Sequence, residues 1–353
     1  MSPTGAGRRA LAVRILLVSL AAVAAAVTAP LFLAGCGSAR QGQPAASRPA
    51  PGTGGTPGAQ TPAPLSPITG MTAVKPGSPV AVSVDNYKLA RPQSGLAQAD
   101  LVYEVLAEGG ITRYLAIFYG QAPSVVGPVR SARPYFALLA KEWGAVFAHC
   151  GGDPKDLQPV REWSVVDGDE FTHGSLYWRD DSRTAPHNLY TSVDNLRKVP
   201  VEPLPAPAKR YEFQDWAGKP AQGLQVRYGR GYAVEYTYAG KCYERVVSDR
   251  DQEPVTCTDR ETGEKVRVSN VIVQYAKTQV AYSDGGLIID LISEGKAAYL
   301  LGGRYSEGTW KKESLDQPTI FYTSAGSKIV LTLGQTWVQI VPEDAQVSVT
   351  ETR

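Results

Sequence analysis

In the stretch GPVRSARPYFALLAKEWGAVFAHCGG, residues 127–152, the spacing of the apolar residues changes within a few positions. Apolar side chains recur at three and four positions through ARPYFALLAKEW, which is typical of a helix, and Gly144 follows as its C-terminal stop. The short apolar segment 124–129 reads as a strand before the helix, and AVFAH reads as a buried strand after it. Strand, helix and strand with short links form a βαβ unit, normally parallel and right-handed. This stretch therefore predicts an α/β domain.

Two arginines lie where the predicted helix begins. Ser131 is expected at the N-cap, with Arg130 just before it and Arg133 in the first turn. Cations are locally unfavourable there, because a helix N-terminus already carries about half a positive charge. An anion would complete such a site, either a carboxylate of the same chain or a phosphate-like ligand.

The segment before this stretch supplies acidic candidates. LVYEVLAEGG and ITRYLAIFYG read as two strands joined by a Gly109-Gly110 hairpin turn. Glu104 and Glu108 are four residues apart, so we expect them on one face of a strand, with Arg113 across the hairpin. Two interpretations stay open. These groups pair with the two arginines in a buried ionic network, or they hold a divalent cation against a phosphate or supply a catalytic base.

A second concentration of polar residues is the turn-rich loop WRDDSRTAPHNLYT, residues 178–191. His187 and Asn188 in this loop are expected either to order it by hydrogen bonds or to line the same cleft as the arginines. The histidines of the chain are three, at positions 149, 173 and 187, and their spacing matches no tight metal motif. We therefore expect no metal ligands among them and no cofactor, apart from the divalent cation considered above.

The N-terminus predicts export. Basic residues precede an apolar run, and LAGC at 33–36 looks like a lipobox, in which Cys36 becomes the lipidated first residue after a signal peptide 1–35. A retained transmembrane helix is the alternative. Residues 36–68 are almost wholly Pro, Gly, Ala, Ser, Thr and Gln, a composition that favours a disordered tether. The expected location is extracytoplasmic, with Cys36 anchoring the chain to the membrane.

The remaining chain is long enough for two domains. Four prolines in VPVEPLPAPA mark a connector at 199–208. It separates an α/β domain, 69–198, from a smaller domain, 209–345, whose Gly-punctuated strand patterns are mostly β. The formal net charge of +2 argues against a nucleic-acid partner.

Cysteine usage follows from the predicted compartment. Outside the cytoplasm disulfides are permitted. Cys242 and Cys257 lie in adjacent strand-like stretches, and a disulfide between them would close a hairpin loop, worth about 3 kcal/mol in the chain-entropy model. Two free thiols are the alternative. Cys150 is expected to be unpaired.

Three motifs in this order resemble the YerB-like bacterial lipoproteins, a family of unknown function. They are RPQSGLAQADLVYEVLAEGGITRYLAIF, GPVRSARPYF and RTAPHNLYT, with GTWKKESLDQPTIFYTSAGSKIVLTLGQTWVQIVP similar to the C-terminal signature. The resemblance runs from about residue 79 to 342. It implies an exported lipoprotein with an N-terminal and a smaller C-terminal domain, and it assigns no catalytic residue.

The outline from 127 to 152 is also similar to the LytR-CpsA-Psr phosphotransferases, which bind a polyprenyl pyrophosphate with arginines and acidic residues. Their arginine-aspartate signature is missing, since Ser131 follows Arg130. Two functions are therefore predicted. The first is a lipoprotein that binds an anionic envelope component or a protein partner through the Arg/Glu residues. The alternative is an envelope enzyme acting on a phosphorylated or glycan substrate, with Glu104 or Glu108 as base.

Overall fold

Strands dominate the structure, a computed structural model that describes residues 63–200, 211–214, 222–250, 252–281, 283 and 285–351. The expected signal peptide 1–35, the lipidation site Cys36 and most of the tether lie outside these residues, as do residues 201–208 of the expected connector. In the first described range the strands are β1 (Val80–Asp85), β2 (Leu101–Leu106), β3 (Thr112–Phe118), β4 (Val146–His149), β5 (Val166–Asp169), β6 (Tyr177–Arg179) and β7 (Leu189–Thr191).

The strands of the later ranges are β8 (Glu212–Phe213), β9 (Gln222–Arg227), β10 (Ala233–Ala239), β11 (Cys242–Asp249), β12 (Gln252–Thr256), β13 (Arg267–Val268), β14 (Asn270–Ala276), β15 (Thr278–Val280), β16 (Leu287–Ile289), β17 (Glu294–Leu301), β18 (Arg304–Lys311), β19 (Ile320–Thr323), β20 (Val330–Leu331), β21 (Thr336–Pro342) and β22 (Gln346–Glu351). Within the described ranges the α-helices are α1 (Pro134–Glu142), α2 (Pro154–Glu162) and α3 (Val193–Leu196). No helix in this part of the chain is long and apolar enough to cross a membrane.

A mixed ten-stranded sheet forms the centre, in the order β19-β18-β17-β14-β21-β2-β3-β1-β4-β5. β1, β4 and β5 run parallel to one another, whereas β3 is antiparallel to both of its neighbours. A second sheet, in the order β12-β11-β10-β9-β22, is antiparallel. The candidate site described below lies at one end of the parallel trio.

The central sheet buries both faces. Successive strand side chains point to opposite faces, so Val80, Val82 and Val84 join one core with side chains of the second sheet, such as Val226 and Tyr236. Ala81 and the alternate residues of β2 and β3 join the other core, under α1. The helix and the second sheet therefore cover opposite faces of the central sheet.

Several local expectations are confirmed. β2 and β3 form the expected antiparallel hairpin, and Gly109 and Gly110 adopt φ of 77° and 75° at its turn. Pro134 is the first residue of α1, where a missing N–H costs little, and Gly144, at φ 57°, follows its end. AVFAH forms the buried strand β4. These features depend on neighbouring residues, which is why the sequence pattern reveals them.

The predicted βαβ unit is not confirmed. Residues 124–129 make only isolated bridges, such as Val126 with Thr191, and the parallel neighbours of β4 are β1 and β5. Pro128 has no N–H to donate, so this segment cannot continue a regular ladder. The helix α1 is present. The strand that precedes this helix and runs parallel to β4 is β1, residues 80–85, and not residues 124–129.

The expected N-cap is also corrected. Arg133 occupies the N-cap of α1, with no side-chain cap hydrogen bond. Ser131 lies two residues earlier, and its main-chain carbonyl accepts hydrogen bonds from Ser83 Oγ and Arg113 Nη1. The helix starts at Pro134 because the preceding residues still pair with neighbouring strands, as when Arg130 N donates to Ser83 O.

The expected disulfide does not form: Cys150, Cys242 and Cys257 are free thiols. β11 and β12 pair with Val246 opposite Thr256, so Cys257 lies beside Arg245, and its N–H donates to the Arg245 carbonyl. Cys242 lies three residues before Arg245 in β11, which places it about 10 Å from Arg245 along the strand. Its side chain points to the other face of the strand. A disulfide requires Cα atoms within about 7 Å.

Strands from both sides of the expected connector share the central sheet. β21, which ends at Pro342, lies between β14 and β2 and is parallel to both. All described residues fall within one compact unit, Gln60–Arg353. The division at 199–208 stays a prediction about the sequence, and the two segments that it separates build one sheet together.

Candidate functional site

The candidate site lies where the parallel strands end. β1 ends at Asp85, β4 at His149 and β5 at Asp169, and the carboxyl ends of parallel strands are where open α/β sheets bind ligands. The segment 127–133 crosses this edge: Arg130 N donates to Ser83 O at 2.8 Å, and Cys150 N donates to Arg130 O at 3.0 Å. The arginines of the segment are therefore held at the edge by main-chain hydrogen bonds to β1 and to the end of β4.

The first group at this edge is the Asp85 cluster, made of Asp85, Arg130 and His187. Asp85 is buried, and its Oδ2 lies 2.6 Å from His187 Nδ1 and 3.3 Å from Arg130 Nε. The His187 ring stacks on Tyr87, with centroids 5.1 Å apart and planes inclined by 14°. The Asp85 carboxylate is thus shared between the imidazole of His187 and the guanidinium of Arg130.

Arg130 is incompletely partnered. Its Nη1 donates to the carbonyl of Pro186 at a long 3.5 Å, and its buried Nε makes no hydrogen bond despite lying near Asp85. A guanidinium offers five N–H donors, and the side chain of Arg130 is 25% exposed. It therefore retains donors that an external anion can use.

The second group is the Glu108 cluster, made of Glu108, Arg113, Arg133 and Asp156. Arg133 donates through Nε to Glu108 Oε1 and through Nη2 to Oε2 at 2.6 Å, and its Nη1 lies 3.2 Å from Asp156. Burial acts to raise the pKa of Glu108, but the hydrogen bonds and charge of Arg133 outweigh it and lower that pKa. Arg133 is consequently an internal ion-pair partner.

Arg113 completes the Glu108 cluster from β3. Its Nη2 lies 4.0 Å from Glu108 Oε2, and it lies opposite Asp85 in the pairing of β1 with β3. Burial, followed by the positive charge of Arg133, lowers the pKa of the Arg113 guanidinium to about 10. Three arginines therefore converge here, but Arg113 and Arg133 are buried or paired and Arg130 faces outward.

Glu104 lies elsewhere, and its predicted position is wrong. It belongs to a third group, the Glu104 cluster, with Arg245, Thr112 and Tyr232, on the opposite face of the central sheet. Arg245 Nη2 donates to Glu104 Oε2 at 2.6 Å, while the hydroxyls of Thr112 and Tyr232 donate to Oε1 at 2.7 and 2.8 Å. β2 ends at Leu106, so Glu108 is in the turn and no longer shares the face of Glu104.

Asn188 contacts another arginine. Its Oδ1 accepts a hydrogen bond from Arg179 Nη1 at 3.2 Å, and Arg179 also lies 3.5 Å from Glu170. Next to them, burial and a hydrogen bond to Glu170 raise the pKa of the Cys150 thiol to about 11. Asn188 thus holds the His187 loop against β6 and does not reach the Asp85 carboxylate.

Family models match most of the folded chain. The model described as "Protein of unknown function (DUF3048) N-terminal domain" matches residues 68–203, and the C-terminal domain of the same description matches residues 224–338. The chain belongs to the DUF3048 family. Both matched segments contribute strands to the central sheet, and the Asp85 and Glu108 clusters lie wholly in the N-terminal match.

Two comparisons extend this assignment. The chain is 38% identical over 292 residues to "Putative lipoprotein YerB" of Bacillus subtilis (strain 168), covering 79% of this chain and 86% of that one. The crystal structure of YerB protein from Bacillus subtilis matches with a TM-score of 0.71 and 35% identity, over 80% of this chain and 99% of that chain. The relationship to YerB-like proteins inferred from the motifs is confirmed.

Sequence reasoning missed Asp85, the residue that joins Arg130 to His187 in this DUF3048 chain. The available signal was its position, since Asp85 ends the alternating strand VAVSVD at a carboxyl edge. Its pairing with His187, 102 residues later, has no local signal. Arg245 was missed for a similar reason, because its partner Glu104 lies 141 residues away.

The site is a surface cluster. A cavity of about 440 Å³ opens elsewhere, between the turn that holds Lys88 and strands β11 and β12, and its lining does not include Arg130 or His187. Among the residues that the structure describes, no group of three or more His, Cys, Asp or Glu side chains is arranged to hold a metal ion. The groups that the Asp85 cluster itself presents are a guanidinium, a carboxylate and an imidazole.

Proposed function

We propose that the protein is an exported lipoprotein that binds an anionic component of the cell envelope, or an acidic partner protein, through Arg130. The observation that carries the binding role is the incomplete pairing of Arg130, whose Nη1 makes only a long hydrogen bond of 3.5 Å and whose side chain is 25% exposed. Asp85 is shared between Arg130 and His187, so it neutralises neither fully when His187 is protonated. An anion with several oxygens would satisfy the remaining donors.

The Glu108 cluster supports this binding without taking part in it. Glu108 and Asp156 occupy the donors of Arg133, and Arg113 is buried behind them. The proposed anion-binding group is accordingly Arg130, with His187 beside it on the same Asp85 carboxylate. Arg113, Ser131, Arg133 and Asn188 hold the segments that carry these two residues. Because protein groups supply the donors, the proposed binding requires no cofactor.

The proposed membrane anchor is a lipid on Cys36. It is supported by the LAGC motif and by the name of the Bacillus subtilis relative, a putative lipoprotein. Replacing Cys36 by Ser should release the protein from the membrane fraction and abolish incorporation of a labelled fatty acid. Membrane retention of the labelled Cys36→Ser variant would contradict the proposal.

Thermal unfolding of the full chain in detergent tests the binding role. The midpoint is measured with phosphate, pyrophosphate, polyprenyl phosphate and cell-wall fragments. A ligand at 100 times its Kd stabilises by about 2.7 kcal/mol, which raises the midpoint by roughly 2–4 °C per kcal/mol in a chain of this size. We expect a shift with at least one anion in wild type and none in Arg130→Ala.

A matched control separates this site from general electrostatics. Lys141→Ala removes one positive charge from the other end of α1, where Lys141 pairs with Asp316. It should keep the anion-dependent shift. An equal shift in Arg130→Ala, or no shift with any anion in wild type, would rule out Arg130 as the binding group.

The enzymatic alternative based on Glu104 or Glu108 has little support. Glu104 is fully buried with three hydrogen-bond donors on its carboxylate, and Glu108 is held at both oxygens by Arg133. A general base must reach the proton that it removes. Neither carboxylate has a free oxygen directed at the Asp85 cluster.

A further inference from the structure

The Asp85 cluster holds an imidazole in one orientation. The hydrogen bond between His187 Nδ1 and Asp85 Oδ2 fixes one edge of the ring, and stacking on Tyr87 fixes its plane. An ionised carboxylate can only accept, so in neutral His187 the proton resides on Nδ1. The lone pair of the ring is then on Nε2.

Nε2 is the open edge of this imidazole. Within the described residues His187 makes no hydrogen bond through Nε2, and its side chain is 13% exposed. Arg130 lies beside it, since both side chains contact the same Asp85 oxygen. A basic nitrogen and a partly unsatisfied guanidinium therefore share one edge of the sheet.

We propose that His187 is the general base of a phosphoester hydrolase, acting on a phosphoester whose phosphoryl oxygens are bound by Arg130. This inference rests on the proposed anion binding. Asp85 is the positioning residue, since it orients the ring and stabilises the imidazolium that forms during proton transfer. The arrangement is that of a carboxylate–imidazole pair, which serves general acid–base catalysis on unrelated folds.

The step conserves atoms and charge. Nε2 accepts a proton from a water molecule as the water oxygen forms a bond to phosphorus. The bond between phosphorus and the ester oxygen breaks on the opposite side of phosphorus, and the alkoxide that leaves takes a proton from a solvent water. Nε2 returns its proton to the hydroxide so formed. The products are the phosphate released from the ester and an alcohol, one water is consumed, and His187 returns to its neutral form.

A phosphoester fits this edge better than a carboxylic ester. Phosphoryl oxygens carry charge in the ground state and in the transition state, and a planar guanidinium binds two of them at once. A carboxylic ester is neutral until a tetrahedral oxyanion forms, so Arg130 would contribute little to its binding. The charge of Arg130 therefore selects the phosphoryl class.

The test uses the full chain in detergent, with EDTA present, and two probes. Turnover is followed with p-nitrophenyl phosphate and bis-p-nitrophenyl phosphate, and binding is followed with inorganic phosphate by the thermal shift. His187→Gln should lower kcat by about 10²-fold or more, while the phosphate-dependent shift remains. Asp85→Asn should also lower kcat and keep the phosphate-dependent thermal shift. Arg130→Ala should lose both the turnover and the phosphate-dependent thermal shift.

His173→Gln provides the control, because His173 lies in the same half of the chain and its ring contacts Thr172, outside the Asp85 cluster. It should leave turnover and binding unchanged. Phosphate binding that depends on Arg130, without turnover or with turnover retained in His187→Gln, would overturn the hydrolase and leave the binding proposal standing. Absence of turnover in wild type would overturn the hydrolase, and absence of a thermal shift with every anion of the panel above would overturn the binding proposal as well. Circular dichroism of each variant identifies any that fail to fold.

Discussion

The Glu104 and Asp85 clusters each pair a carboxylate with an arginine, but they differ in burial and in how completely the arginine is paired. Between the two sheets, Glu104 and Arg245 are 0% and 1% exposed, and hydroxyls satisfy the remaining acceptor positions of the carboxylate. At the end of the parallel strands, Asp85 is shared by two partners and Arg130 keeps unused donors. A buried charge must be fully paired, whereas an edge with spare donors can bind something else.

The largest effect is expected from breaking the Glu104 cluster. Glu104→Gln leaves the Arg245 charge buried without a counter-ion, which should cost about 3–5 kcal/mol of unfolding free energy. Urea denaturation measures it. The double variant with Arg245→Met removes both charges and should recover a large part of the loss. A single-variant loss below about 1 kcal/mol would show that Arg245 finds another partner, for example Cys257, which lies 2.8 Å from Nη1.

An intermediate effect is expected in the Glu108 cluster. Glu108→Gln replaces charged hydrogen bonds to Arg133 by weaker ones at a side chain that is 27% exposed, which should cost about 1–3 kcal/mol. The pKa of Glu108 is lowered in the folded state from an ordinary value of 4.5. Its contribution is therefore complete above pH 4.5 and disappears as the pH falls through the lower folded-state pKa.

Urea denaturation at neutral pH and at about pH 3 checks this sign. The difference in unfolding free energy between wild type and Glu108→Gln should be smaller in acid. Lys141→Ala serves as a control, since its partner Asp316 is 78% exposed and such a pair contributes little at either pH. An unchanged difference across this range would mean that the Glu108–Arg133 pair does not contribute through the carboxylate charge.

The smallest stability effect is expected at Arg130. Because its hydrogen bonds are long or missing, Arg130→Ala should change the unfolding free energy by less than about 1 kcal/mol while removing the anion-dependent shift. The same urea experiment measures it. A loss as large as that of Glu104→Gln would place Arg130 among the structural ion pairs and remove the contrast between the two clusters.

The sequence predicts features that depend on neighbours along the chain. The Gly109–Gly110 hairpin, the start of α1 at Pro134 and the buried strand β4 all follow from composition and period over a few residues. The expectation for Glu108 failed because β2 ends at Leu106, and the four-residue spacing then no longer describes a strand face. A strand boundary moved by two residues is enough to separate two candidate bases.

What the sequence does not predict is pairing over long separations. Nothing local indicates that β4 lies beside β1, that Asp85 meets His187, or that Cys257 lies beside Arg245 and away from Cys242. Each depends on the order of strands in a sheet, which the period of a single strand leaves open. The sequence indicates Arg130 and Arg133 through an electrostatic conflict at one helix end, and the partners that resolve this conflict come from elsewhere in the chain.

The position of β21 has a consequence for how the protein matures. Synthesis delivers the chain from its N-terminus onwards, so β2 is made more than 200 residues before β21, its neighbour in the sheet. Until that late strand arrives, the edge of β2 is open to other extended chains. Completion of the sheet is thus coupled to completion of the chain, and a chain that ends before residue 336 leaves one edge of β2 unpaired.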